Sequence, residues 1–370
     1  MTARERYYDL LIKNCQDYTV QGLFNGDRSI DKIQTLQTGN KGRIFFFDQE
    51  PIIAKIDQEL WSYIFQQPTI LANSELDSAD KIELKKQYPK NFIDWYYFAN
   101  ALVAREWLSD YRYLYAGWSD YKTCLFDSNL ITGYRQYRLY LLYLLIQDQS
   151  HHHCHISFNG KHNWRDDLKK YDHLNLLDIE DFCETIGDYH NSYDNFAKNN
   201  NTKNRLMQQF VSLEHYSQSN LVLVAETIFL ENKKHLTEKI FKPIVAGKPF
   251  VLAGGHKNLE YLRGYGFETF SQCWNEDYDN IKDPMQRAKS VIDTVIGTAL
   301  PNKSVYDEGI KDIKDYNRDF QQSLQQLQLA HDIAQNNRKH FWSDEFYNLL
   351  ISEAVSNLER AKLELASKRV

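Results

Sequence analysis

Apolar and polar positions along this chain follow two rhythms. Arg43 to Phe47 is a compact Phe-rich run that follows Gly39 and Gly42 and is closed by Asp48 and Pro51. It reads as a buried strand whose far end opens into a loop. Thr69–Ala72 and Tyr113–Ala116 read as further strands, while Ala99–Trp107 has helical spacing. A second series begins with Thr123–Phe126 and a turn-rich Asp127-Ser-Asn129. A long helical pattern follows, from about Tyr134 to Gln147. From about Asp148 to Arg205 the chain is rich in Asn, Asp and His and reads as connecting structure. It then tightens into a strand at Asn220–Ala225, a helix at Glu238–Ala246 stopped by Gly247, a strand at Pro249–Ala253 and a short helix at Asn258–Arg263. Pro243 lies inside the Glu238–Ala246 helix, where it is expected to kink it. From Asp312 onward the pattern is helical and free of Gly and Pro.

Short strands alternating with helices predict an α/β fold with parallel sheets covered by helices. At 370 residues the length suits two domains. The expected division is residues 1–118, residues 119–325, and a helical segment 326–370 packing back on the first domain.

Composition narrows the function classes. Apolar residues make up 42% and aromatics 14%, enough to build cores and to exclude a wholly disordered chain. The net charge of −6 argues against a general polyanion-binding surface, so a nucleic acid partner is possible but not favoured. Five widely spaced cysteines without a CxxC pair suit a reducing compartment. The first residues are charged throughout, and no apolar run is long enough to span a bilayer. The expected location is therefore cytoplasmic, bacterial or in a host cell if viral, with no membrane span.

The segment LTEKIFKPIVAGKPFVLAGG over residues 236–255 has the clearest chemical content. Thr237 is a good N-cap type, and Glu238 falls in the first turn. Lys239 and Lys242 are three apart, on one helix face. Lysines at a helix start can hold a pyrophosphate, and a neighbouring carboxylate can accept from a ribose diol. The competing reading is an amphipathic helix with a solvated Glu/Lys face. Arg135 and Arg138 lie at the start of a helix that follows a strand, and arginine suits bidentate phosphate contacts. Glu226 ends a strand, where ligands of doubly wound sheets sit. Asp48 and Glu50 occupy the same kind of position in the first domain. The aromatic run Asp94–Phe98 is either a sugar platform or core.

The run 221–255, followed by LEYLRGYGFETF over 259–270 and NEDYD over 275–279, resembles the donor domain of family-10-like glycosyltransferases, the fucosyltransferase type with its bacterial and viral relatives. The resemblance covers roughly residues 119–295. It implies a GT-B fold, two Rossmann-like domains facing a cleft. It implies transfer of a sugar from a nucleotide-sugar donor, GDP-sugar favoured, to a glycan or other hydroxyl acceptor, with inversion and without an essential metal or other cofactor. It matches Glu238 to a ribose-binding carboxylate and Lys239 to a phosphate-binding lysine, and it places an arginine near the phosphates, Arg138 or Arg135. Thr237, Lys242 and Glu226 complete the expected donor set. The resemblance also implies a carboxylate base in the first domain, Glu50 first and Asp48 second. Two alternatives remain: a transferase acting on modified DNA bases, or a non-catalytic sugar- or nucleotide-binding module of the same fold. The histidine run His151–His155 lacks zinc-ligand spacing, and Asp277 and Asp279 are expected to organise a loop rather than bind metal.

Overall fold

A computed structural model describes residues 9–24, 28–113, 116, 124–128, 135–158, 211, 213–299 and 313–368. The chain divides into two units. Unit 1 comprises Met1–Ser109, Asn232–Glu238 and Trp342–Val370; unit 2 comprises Asp110–Glu231 and Lys239–Phe341.

Unit 1 is organised by its apolar strands. β3 (Arg43–Phe46) and β4 (Thr69–Asn73) are buried at every position, as strands inside a covered sheet must be. They are flanked by β1 (Thr19–Gly22) and β5 (Phe92–Tyr96), with β2 (Gln34–Gln37) at the edge in the order β2-β1-β3-β4-β5. β1, β3, β4 and β5 run parallel, and β2 is antiparallel to β1. The polar sequence Gln-Thr-Leu-Gln of β2 fits an exposed edge. Helix α1 (Gln58–Ile64) buries Leu60, Trp61 and Ile64 in a core with Phe45, Phe47 and Leu71. Trp61 packs edge-on against Phe47, with centroids 5.0 Å apart, and its Nε1 donates to the Ile53 carbonyl at 3.2 Å.

Two more helices of this unit follow β4 and β5, α2 (Ala79–Gln87) and α3 (Ala99–Trp107). The terminal helix of unit 1, Asp344–Ser367, lies against β4, β5 and α3. Its apolar stripe is Phe346, Leu350, Ala354, Leu358, Ala361 and Leu365, the spacing of one helix face. Trp95 Nε1 donates to the Ala354 carbonyl at 2.9 Å, and Asn357 Nδ2 to the Tyr96 carbonyl at 2.8 Å.

Unit 2 contains a parallel sheet of β6 (Cys124–Ser128), β7 (Cys154–Phe158), β8 (Leu221–Ala225) and β9 (Phe250–Ala253), in the order β7-β6-β8-β9. Helix α4 (Tyr137–Gln147) follows β6, and α5 (Leu213–Gln218) precedes β8. Helix α6 (Glu238–Ala246) joins β8 to β9, and α7 (Asn258–Gly264) follows β9. Helix α8 (Pro284–Ala299) packs on α4, β8 and β9. Helix α9 (Ile313–Trp342) reaches α6: Arg338 Nε donates to the Val245 carbonyl at 2.9 Å, and Gln335 Nε2 to the Gly247 carbonyl at 3.0 Å. The terminal helix Asp344–Ser367 is α10. The helical tail is therefore shared, α9 up to Phe341 in unit 2 and α10 in unit 1.

The α/β character and the elements at 43–46, 69–73, 99–107, 221–225, 238–246, 250–253 and 258–264 agree with the sequence pattern. Four features differ. The first sheet is mixed, because β2 turns back against β1. No strand forms at Tyr113, which is a turn residue left 87% exposed; Leu114 and Tyr115 lie outside the described residues. The strand that completes the sheet is β5, where Trp95 and the following Tyr97 and Phe98 are buried as core and offer no open sugar platform. β7 lies inside the stretch read as connecting structure. Asn129, Tyr134 and residues 159–210 fall outside the described residues. Among the described residues no helix is long and apolar enough to cross a membrane.

Candidate functional site

In unit 1 the candidate acids follow β3 at its carboxyl end. Asp48 is fully buried and accepts from the Tyr97 hydroxyl at 2.5 Å on Oδ2. Glu50 keeps about a quarter of its side chain exposed, 27%, with Arg28 Nη2 at 4.0 Å. Of the two, only Glu50 is open to solvent. Arg28 also bonds Asp57 and the Pro51 carbonyl, which fixes the turn after Glu50.

Beneath this turn lies a buried charged cluster. Glu75, just after β4, accepts from the Ile52 N–H at 2.7 Å on Oε1. Lys233 Nζ donates to the Ile52 carbonyl at 2.7 Å and to Asp80 Oδ2 at 2.8 Å, and lies 3.4 Å from Glu75 Oε1. Burial pushes the Glu75 carboxyl above its ordinary range, while the Lys233 charge pulls it back. Lys81 bridges Asp94 Oδ2 at 2.7 Å and the Glu75 carbonyl at 2.8 Å.

In unit 2, Arg138, Glu226 and Lys239 meet after β8, while the donor candidates Thr237 and Glu238 belong to unit 1. The loop is held by buried cations and rings. Arg138 Nη2 donates to the Ala225 and Glu226 carbonyls at 2.9 and 3.0 Å, and Tyr137 donates to the Glu226 carbonyl. Tyr137 stacks on Phe229 with centroids 4.3 Å apart. The Arg287 guanidinium lies 4.6 Å from the centroid of the Phe229 ring and donates to the Phe229 carbonyl. Burial pushes the Tyr137 hydroxyl up to about 12 and the Arg287 guanidinium down to about 10. Glu226 is fully buried, and its Oε2 accepts from the Thr227 N–H at 3.2 Å. Thr227 Oγ1 in turn accepts from Lys239 Nζ at 3.1 Å, so the first turn of α6 is joined to the loop. Thr237 and Lys242 are buried; Glu238, Lys239 and Arg135 are partly exposed.

The structure thus brings Arg138, Glu226 and Lys239 to the carboxyl end of β8, where parallel sheets bind ligands. Arg138 acts there as a buried brace on backbone carbonyls, and Arg135 is the more accessible arginine. Glu226 is a buried loop carboxylate. Thr227 escaped the sequence reading because a threonine after a strand carries no pattern of its own. Lys233 escaped the candidate set because its pairing with Glu75 spans 158 positions.

Asp279 has a structural task. Its Oδ1 and Oδ2 accept from the Leu259 and Glu260 N–H groups at 2.9 and 3.1 Å, capping α7. Among the described residues no group of three or more His, Cys, Asp or Glu could hold a metal ion. A polar crevice of about 670 Å³, lined by Gln16, Asp17, Gln37, Thr38, Gly39 and Asn40, opens at the amino ends of the first sheet, away from these residues.

Comparison with protein-family models, with curated proteins and with solved structures finds no match to this chain.

Proposed function

We propose that this chain is a glycosyltransferase of GT-B type, with unit 2 taking the nucleotide-sugar donor and unit 1 the hydroxyl acceptor. The observation that carries the reading is the Lys239–Thr227–Glu226 linkage. It holds a lysine, partly exposed at a helix start, near the carboxyl end of a parallel strand. In the proposed reaction the acceptor oxygen attacks the anomeric carbon as the bond to the nucleoside diphosphate breaks. The hydroxyl proton passes to Glu50, and the configuration inverts. Lys239, together with Arg135 just before α4, would offset charge on the departing diphosphate. Glu238 would accept from the ribose. GDP-sugar is the favoured donor, by the family resemblance of residues 221–279 alone.

A thermal-shift panel of GDP, UDP, CDP and ADP tests the donor half. A nucleotide at 100 times its Kd should add about 2.7 kcal/mol of stability. Glu238→Ala and Lys239→Ala should each weaken that binding by about 1–3 kcal/mol, the loss of a hydrogen bond to a charged group. Unchanged calorimetric affinity in both variants refutes the donor assignment.

A further inference from the structure

Between Glu231 and Lys239 the chain leaves unit 2 and runs through unit 1. This strap is tied down along its length. Lys234 and Leu76 exchange backbone hydrogen bonds at 3.0 and 2.9 Å. Asn100 Nδ2 donates to the Leu236 carbonyl at 2.9 Å, and His235 Nδ1 lies 3.3 Å from the Ser74 carbonyl. At its start Lys233 enters the buried cluster. The same cluster grips the chain just after Glu50: Glu75 and Lys233 hold both sides of Ile52, and Asp80 Oδ1 accepts from the Ala54 N–H at 2.9 Å. One ammonium and two carboxylates therefore join two segments of unit 1. One carries Asp48 and Glu50; the other leads directly into Thr237, Glu238 and Lys239.

We propose that Lys233 is a positioning residue that sets the register of the 48–54 loop against the strap opening α6. The proposal rests on the glycosyl-transfer reading for its catalytic consequence. Stability alone does not account for the cluster. Lys233 and Glu75 are each 1% exposed, and apolar replacements of such buried ion pairs are commonly neutral or stabilising. What an ionic cluster adds is direction. Lys233 meets Ile52 and Asp80 at hydrogen-bond length only when strap and loop are in one alignment, whereas apolar packing tolerates sliding. Misplacement of a reacting group by about 1 Å can cost about 10²-fold in rate.

The test compares Lys233→Met with the charge-balanced Lys233→Met/Glu75→Gln, in which the new side-chain amide can still accept from the Ile52 N–H. The expected result for the double variant is a melting temperature near that of the wild type and kcat lower by about 10²-fold. The nucleoside-diphosphate Kd should change little. Amide exchange should accelerate together in residues 52–54 and 234–239, with the β3–β5 amides unchanged. A double variant that recovers both melting temperature and kcat overturns the proposal, since the single variant's defect was then one of stability. A wild-type chain that transfers no sugar refutes the functional reading separately. The exchange experiment then still decides the coupling: acceleration in both segments supports it, and acceleration in one or neither overturns it.

Discussion

Lys248 sits between α6 and β9 with only 1% of its surface exposed, and its ammonium nitrogen has no hydrogen-bond partner among the described residues. His331 is an ionisable neighbour, and its own pKa is lowered first by burial and then by the Lys248 charge. Desolvation lowers the lysine from 10.5 to about 8. At about 1.4 kcal/mol per pKa unit, holding this amine charged in the folded state costs about 3 kcal/mol. That is a large part of a typical domain's net stability. Below pH 8 the amine is charged in both states, so the penalty is complete. Between pH 8 and 10.5 the folded chain has released the proton while the unfolded chain keeps it, so stability rises with pH through that window. Lys248→Met keeps most of the length of the side chain and removes the charge. It should stabilise the protein at pH 7 by up to about 3 kcal/mol. Urea unfolding of both proteins from about pH 6.5 to about pH 10.5 measures this directly. The gap should be constant up to about pH 8 and shrink above it. A variant less stable than the wild type at pH 7, or a gap that does not change with pH, refutes the argument.

Asp279→Ala should remove two bonds to the start of α7 and lower stability by about 1–2 kcal/mol, read as a shift in urea midpoint without a change in slope. Glu50→Gln should reduce turnover by about 10²–10⁴-fold with donor affinity retained. Asp48→Asn is the matched control: its amide oxygen can still accept from the Tyr97 hydroxyl, so turnover should fall far less than in Glu50→Gln. If both variants keep more than about a tenth of wild-type turnover, this loop does not carry the base.

The sequence alone determined the elements whose signal is local. Phe-rich β3, the Leu-Val-Leu-Val-Ala run of β8 and the Gly-stopped helix α6 were legible because each is a continuous run or a periodic stripe closed by a breaker. The Thr-Glu-Lys start of α6 was visible for the same reason. What tertiary structure decided was everything that depends on partners distant in sequence. β2 and β7 are weakly patterned, and they become strands because β1 and β6 offer them backbone partners. Asp94–Phe98 could be platform or core from its composition; the sheet order made it core by laying α10 against it. Asp48 and Glu50 look alike in sequence, yet folding buries one against Tyr97 and leaves the other open beside Arg28. Nothing local in the sequence sets Lys233 or Lys248 apart from the other lysines. Folding places one between two carboxylates and buries the other with no hydrogen-bond partner among the described residues, because a charge takes its energy from the groups that surround it and not from its place in the chain.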